Sequence, residues 1–158
     1  MTGQNIRLAV IFLVITEDSH GKKIIAIGKK RSNSPKFMAG CWHIPGGTSC
    51  LSDYLNLKSF AELIQRIAER EAKEELGVEV DFKKILHSQA IIKPDKGEFL
   101  QMVYVLCRPV DNSQINLKHG SDLEDAKWVP FNKVLEYLDV KAIEHLPDGI
   151  KLFITSFV

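Results

Sequence analysis

The sequence has no long hydrophobic run and no leader-like segment. Its longest apolar run, from Leu8 to Ile15, is too short to span a bilayer. The run follows a single Arg7 and lacks a small-residue cleavage site, so it does not have the features of a signal peptide. We therefore expect no membrane partner, and we interpret the run as a buried strand.

Cysteine is also scarce. The three cysteines, Cys41, Cys50 and Cys107, are odd in number and widely spaced, and no Cys-x-x-Cys pair occurs. This pattern argues against a structural zinc site or a redox motif. The five histidines are scattered, so a His-based zinc site is not supported either. We expect free thiols in a reducing cytosol, and therefore a cytoplasmic protein.

Charge of one sign is not in excess, because 21 Lys and Arg residues face 20 Asp and Glu residues, for a net charge of +1. A chain this balanced has no overall field to attract a polyanion, so we expect no long nucleic acid partner. A local basic patch can still serve a small phosphorylated substrate. The 158 residues, 45% of them hydrophobic, predict a single domain over residues 1–158.

Apolar, β-branched runs alternate with turn residues along most of the chain, which predicts an α/β fold. The predicted strands cover residues 7–15, 23–30, 41–44, 78–92, 99–107 and 127–129. Helices are predicted at 59–76 and 132–137, and a long polar loop at 111–122. The tail, residues 150–158, is apolar enough to pack back onto the domain.

The predicted helix at 59–76 has an apolar face that becomes acidic toward its end. Ser59 stands three residues before Glu62, which is a capping-box spacing, and Gly77 follows the last turn. The apolar stripe consists of Phe60, Leu63, Ile64 and Ile67. At about 100° per residue, the stripe continues through Glu71, Glu74 and Glu75.

Three carboxylates on one helix face are unfavourable without a partner. They repel each other at these spacings, and partial burial removes their hydration. A hard divalent cation such as Mg²⁺, or alternatively Mn²⁺, would relieve both effects. The alternative is a solvated acidic patch, although carboxylates are disfavoured near a helix C-terminus.

Two segments resemble the Nudix box of the Nudix hydrolases. One is Arg70-Glu71-Ala72-Lys73-Glu74-Glu75-Leu76-Gly77-Val78, and the other is Pro45-Gly46-Gly47, which follows Trp42-His43-Ile44. The box reads Gly, five residues, Glu, seven residues, then Arg-Glu-U-x-Glu-Glu-x-Gly-U, where U is bulky and apolar. The flanking order of strands and the Trp128-Val129-Pro130 segment extend the resemblance over most of the chain.

The resemblance implies an α/β/α sandwich with a mixed sheet, and a metal-dependent hydrolase. The implied reaction cleaves the diphosphate bond of a nucleoside diphosphate linked to another moiety, as in a nucleotide, a nucleotide sugar or a dinucleotide. Two alternatives stay open: a catalytically inactive ligand-binding module, and a hydrolase of a non-nucleotide diphosphate. Because many Nudix proteins are dimers, a homodimer is a further possibility.

The resemblance also implies roles for individual residues. Glu71, Glu74 and Glu75 match the metal-binding glutamates, and Glu74 is either a third ligand or a base. Arg70 matches the arginine that orients Glu71. The Gly46 carbonyl matches a backbone metal ligand, and Gly47 lets the chain turn closely past the metal and the phosphates.

Three departures from the box stand out. Fourteen residues separate Gly47 from Glu62, where the family has five, which we interpret as an insertion at about 48–57. Glu62 keeps the seven-residue spacing to Arg70, but on a helix that begins at Ser59 it points away from Glu71. A helix cap is therefore the favoured role for Glu62, with metal binding as the alternative. Ala72 is smaller than the usual apolar residue.

Further candidates lie outside the box. Glu124, in the acidic segment 122–125, is the leading candidate for a later-loop metal ligand or base, although a solvated turn is slightly favoured. Arg31, with Lys29, Lys30 and Lys36, could contact phosphate oxygens or form a plain basic loop. Trp42 and Phe37 could stack on a base or belong to the core, and His43 could line the pocket. We expect Arg31, Trp42, His43 and Gly47 to bind substrate.

Overall fold

A computed structural model of the chain describes residues 5–156, apart from the side chains at positions 5, 93 and 94. The first two strands, β1 (Asn5–Glu17) and β2 (Lys23–Lys30), form an antiparallel hairpin. Asp18 shapes the turn between them, because its Oδ1 accepts hydrogen bonds from the amides of His20 (2.8 Å) and Lys22 (2.9 Å). The strands predicted at 7–15 and 23–30 are confirmed and form the two arms of this hairpin.

Within residues 5–156, five further strands extend this hairpin into a seven-stranded sheet. They are β3 (Trp42–His43), β4 (Gly46–Thr48), β5 (Val80–Lys93), β6 (Glu98–Pro109) and β7 (Leu123–Pro130). The order is β3-β2-β1-β6-β5, with β4 paired to β1 and β7 paired to β2. The β1–β6 pair is parallel and the other pairs are antiparallel, so the predicted mixed sheet is confirmed.

Helices cover both faces of this sheet. The long helix α1 (Phe60–Glu75) packs on one face, and α2 (Val134–Tyr137), α3 (Val140–Glu144) and α4 (Asp148–Thr155) accompany the other. Strand β1 alternates between the two layers: Val10 and Phe12 belong to the core under α1, and Leu13 to the opposite core. The α/β/α sandwich is therefore confirmed.

The start of α1 differs from the sequence prediction, whereas the C-terminal tail agrees with it. Phe60 was predicted to be in the apolar stripe of α1, but it is 55% exposed. The buried face begins one turn later, at Leu63 and Ile64, because the first turn contributes the cap and not the core. The tail does pack back, with Ile150 and Ile154 buried in α4, while residues 157–158 lie outside the described part.

None of the helices in the described part of the chain has the length and apolar character that a bilayer crossing demands.

Candidate active site

Glu71 is the buried member of the acidic helix end. It lies in the last two turns of α1, on the face that packs against β4, and it is 8% exposed. Burial raises the pKa of the Glu71 carboxyl, the neighbouring charges of Glu74 and Glu75 raise it further, and Arg70 opposes the shift. Gly47 faces this carboxyl so closely that a Cβ atom there would lie 2.0 Å from Glu71 Cδ.

Arg70 holds Glu71 in place. Its Nη1 donates to Oε1 of Glu71 (2.8 Å) and to Oε2 of Glu74 (3.1 Å). Its Nε and Nη2 donate to the two carboxylate oxygens of Asp53, at 3.0 and 2.8 Å, and Nη2 also donates to the Thr48 carbonyl at 3.0 Å. All five guanidinium N–H groups are thus used, which fixes the plane of the side chain.

Glu75 lies one turn beyond Glu71 and is half-buried. Burial raises the pKa of its carboxyl, and the nearby Asp122 charge raises it further. Ser121, which is 4% exposed, donates from Oγ to the Glu75 carbonyl oxygen at 2.9 Å and approaches Glu75 Oε2 at 3.4 Å. Two carboxyls near the end of α1 therefore lack full charge compensation.

The loop after β6 closes the end of α1. The Asn116 amide donates a hydrogen bond to the Leu76 carbonyl oxygen (2.8 Å), and Ser121 Oγ donates one to the Glu75 carbonyl oxygen. Two carbonyl groups at the end of the helix therefore have hydrogen-bond partners from this loop. The same closure brings Asp122 beside Glu75. Sequence reasoning missed Ser121 and Asp122, because their positions depend on how a long polar loop folds.

Glu74 and Glu62 lie outside the buried group. The Glu74 side chain is 57% exposed and touches the group through Arg70. The Glu62 amide donates to Ser59 Oγ (3.1 Å), which confirms the predicted cap, while the Glu62 carboxylate accepts from the Lys58 amide (2.9 Å) and pairs with Arg66 (2.8 Å). Nine residues at about 100° each put Glu62 on the side of α1 opposite to Glu71.

Glu124 is engaged elsewhere. It lies in β7, where it forms an ion pair with Lys29 (3.3 Å) and accepts a hydrogen bond from Ser32 Oγ (3.0 Å). The hydrogen bond from Ser32, followed by the contact with Lys29, lowers the pKa of the Glu124 carboxyl. The structure thus brings Asp122, and not Glu124, beside Glu75. A metal or base role for Glu124 stays a prediction.

Of the predicted substrate-binding residues, Arg31 directly follows β2, and Trp42 and His43 form β3, where Trp42 packs against the core on the face opposite to α1. Arg31 Nε donates to the Ser121 carbonyl (2.8 Å), which ties the end of β2 to the residue that holds Glu75. Lys127 Nζ lies 4.5 Å above the half-buried ring of Trp42. Burial lowers the pKa of His43 to about 4, and its Nδ1 lies 3.1 Å from the Cys41 carbonyl.

Two lysines bring positive charge to the same place. Lys36 forms an ion pair with Asp122, which together with the charges of Glu75 and Glu71 raises its pKa. Burial lowers the pKa of Lys30, which also interacts with Asp122 and Glu75. Anionic and cationic side chains thus meet at one end of α1.

The donor set fits a hard divalent cation in its chemistry. Carboxylate oxygens and a backbone strand lie together at the end of α1, and burial destabilises the ionised forms of Glu71 and Glu75. Among residues 5–156, however, no three His, Cys, Asp or Glu side chains converge closely enough to hold a metal ion. Arg70 occupies an oxygen of both Glu71 and Glu74, so a third carboxylate must reorient to complete such a site.

Comparison with known proteins identifies the family and the fold. A model of the NUDIX domain family matches residues 6–148. The structure resembles a NUDIX hydrolase from Alicyclobacillus acidocaldarius (TM-score 0.63, 15% identity, covering 84% of this chain and 82% of that one). It also resembles the NUDIX domain of Shewanella oneidensis NrtR complexed with ADP ribose (TM-score 0.61, 18% identity, covering 94% of this chain and 84% of that one). A third similar structure is a C. elegans Ap4A hydrolase binary complex (TM-score 0.61, 16% identity, covering 95% of this chain and 98% of that one).

None of the curated proteins matches the chain. The family match and the fold define the class as that of the Nudix-type pyrophosphohydrolases, enzymes that cleave a diphosphate linkage. The chain belongs to the NUDIX domain family.

Proposed function

We propose that the protein is a Mg²⁺-dependent hydrolase of a nucleoside diphosphate linked to a second moiety, with Mn²⁺ as an alternative ion. The observation that carries this proposal is the pair Glu71 and Glu75, two carboxyls whose pKa values burial raises at the end of α1. A divalent cation supplies the missing positive charge.

In this proposal Glu71 and Glu75 are metal ligands, with the Gly46 carbonyl beside them. Glu74 leaves Arg70 to become a third ligand, or acts as the base. At this site a bound ion would neutralise phosphate oxygens and lower the pKa of a water. The water would attack one phosphorus of the linkage and lose its proton to the base, the bridging P–O bond would break, and each product would keep one of the two phosphate groups of that linkage.

The remaining residues position the substrate. Lys30 and Lys36 lie beside Asp122 and Glu75, where they can meet the non-bridging phosphate oxygens. Arg31 supports the Ser121 loop, and Trp42, whose ring Lys127 covers from one side, would stack on a base. Catalysis then rests mainly on positioning and charge neutralisation.

The test is hydrolysis of a panel by the full-length chain, followed by ³¹P NMR, with and without Mg²⁺. ADP-ribose and diadenosine tetraphosphate are in the panel because structurally similar proteins bind or cleave such compounds. Nucleoside triphosphates, nucleotide sugars and an isoprenyl diphosphate complete it. Turnover that requires both the metal and Glu75, with Glu75→Gln as control, supports the proposal.

The other outcomes contradict it in distinct ways. Turnover of the isoprenyl compound alone would favour the non-nucleotide alternative. Binding of ADP-ribose without turnover would favour the inactive module, and turnover in EDTA would remove the metal from the mechanism.

A further inference from the structure

The first half of the box has an acidic residue in an unexpected place. Five residues, 48–52, separate Gly47 from Asp53, which is the spacing of the box between its glycine and its glutamate. Sixteen residues, 54–69, then separate Asp53 from Arg70, where the box has seven. On this alignment the nine extra residues follow Asp53, and the interval from Gly47 to Asp53 contains no insertion.

The contacts of Asp53 agree with this alignment. Asp53 is 3% exposed, and both of its carboxylate oxygens accept hydrogen bonds from Arg70, at 3.0 and 2.8 Å. Its Oδ2 also accepts from the Cys50 amide at 2.8 Å, which holds it at the start of the 3₁₀ helix Leu51–Tyr54. Glu62, the alternative by spacing, makes none of these contacts and pairs with Arg66.

Arg66 fastens the same segment from a second position on α1. Its Nη1 donates to the Asp53 carbonyl oxygen at 3.3 Å and to the Leu55 carbonyl oxygen. The 3₁₀ helix is therefore held on α1 at two successive turns, so the Asp53 carboxylate has little freedom to leave Arg70.

The charges explain what this arrangement does. One cation, Arg70, faces the carboxylates of Asp53, Glu71 and Glu74. The two hydrogen bonds to Asp53 set the plane of the Arg70 guanidinium, and the Asp53 carboxylate neutralises its positive charge. Nη1 of Arg70 then orients Glu71 without neutralising it, so the negative charge of Glu71 stays available for a metal. Without Asp53, the guanidinium would be free to neutralise Glu71 and Glu74 and to compete with the ion.

Resting on the proposed metal-dependent function, we infer that Asp53 is the acidic residue of the first half of the box and a positioning residue for Glu71, through Arg70. The segment after Asp53, and not the one before it, is the insertion of this chain.

The test compares Asp53→Asn with Glu62→Gln, which makes the same acid-to-amide change at the competing position. Mn²⁺ binding to the full-length protein is measured by calorimetry without substrate, and folding by thermal unfolding. We expect Asp53→Asn to weaken Mn²⁺ binding about tenfold, the loss typical of outer-shell partners of a metal ligand. Glu62→Gln should bind Mn²⁺ within about twofold of the wild type, a change well below that loss.

Equal weakening in both variants, or unchanged binding in folded Asp53→Asn, would overturn the inference. The Arg70 Nε–H signal in ¹⁵N NMR gives a readout that does not depend on the metal. We expect slow hydrogen exchange in the wild type and in Glu62→Gln, and fast exchange in Asp53→Asn. Wild-type protein that binds no Mn²⁺ would contradict the proposed function, while this signal would still decide the role of Asp53.

If Asp53→Asn does not fold, Asp53→Glu replaces it. That variant keeps the charge, so Mn²⁺ binding within about threefold of the wild type, with slow exchange at Arg70, supports the inference, because an outer-shell loss is larger. A tenfold loss in a folded Asp53→Glu protein whose Arg70 Nε–H still exchanges slowly, or unchanged Mn²⁺ binding with fast exchange at Arg70, would contradict it.

Discussion

A Cβ atom at Gly47 would lie 2.0 Å from Cδ and 2.2 Å from Oε2 of Glu71, so the β4 backbone and this carboxylate are in direct contact. Real Cβ atoms do not approach heavy atoms so closely. Glycine at position 47 is therefore what allows Glu71 to lie under the strand, and the contact links the loop before the insertion to the last turns of α1.

Gly47→Ala should displace Glu71 and abolish most activity. We expect a loss of about 1–3 kcal/mol in the free energy of unfolding, since an added methyl group overpacks the site. Gly97→Ala is the control, because its φ of 61° strains alanine but nothing lies within 4 Å of the new Cβ. Chemical denaturation and the hydrolysis assay together separate the two variants; equal activity losses would show that contact with Glu71 is not the cause.

Glu75→Gln should leave the metal-free protein as stable as the wild type or more stable. Burial and Asp122 both raise the pKa of Glu75, so its negative charge is unfavourable at neutral pH. Mg²⁺ at 100 times its dissociation constant should stabilise the wild type by about 2.7 kcal/mol and the variant by much less. Calorimetric unfolding with and without the ion checks this.

The matched control for Glu75→Gln is Glu69→Gln on the same helix, where the carboxylate accepts a 3.0 Å hydrogen bond from Gln65. It should keep the response to Mg²⁺. Loss of that response in Glu69→Gln as well would show a general effect of charge on α1, and not a site at Glu75.

Ser121→Ala should lower both stability and activity. Its hydroxyl donates to the Glu75 carbonyl and accepts from the Leu123 amide (3.1 Å), so removal leaves buried polar groups without a partner. We expect a loss of about 1–2 kcal/mol in unfolding free energy and about tenfold in kcat/KM. Ser113→Ala removes the bond to the Glu79 amide outside the site and should leave kcat/KM unchanged.

His43 should make the protein sensitive to acid. Burial lowers its pKa from 6.5 to about 4, so the unfolded chain binds more protons than the folded chain between these values. The contribution of His43 to the free energy of unfolding is fully present above pH 6.5. It is lost as pH falls through about 4, and the total loss is up to about 3 kcal/mol. The pH dependence of unfolding should be flatter in His43→Gln; His119→Gln, at an exposed position, should retain the wild-type profile.

Much of the fold could be predicted from local pattern. The β1–β2 hairpin follows from two β-branched runs and a turn, and the cap at Ser59 follows from its spacing to Glu62. The acidic end of α1 was likewise visible, because helical periodicity fixes which residues share a face. Phe60 was misplaced because periodicity says nothing about where along a helix the core begins.

The sequence by itself determined the helix, its order of apolar and acidic turns, and the second half of the box, since these depend on residues close together in the chain. Tertiary structure alone decided the partners. Asp53 reaches Arg70 across 17 positions, and Ser121 reaches Glu75 across 46, through the folding of polar loops without periodicity. Such loops are positioned by the buried polar groups to which they hydrogen-bond, and not by a local pattern in the sequence. These contacts therefore depend on where α1, β4 and the sheet lie in the fold.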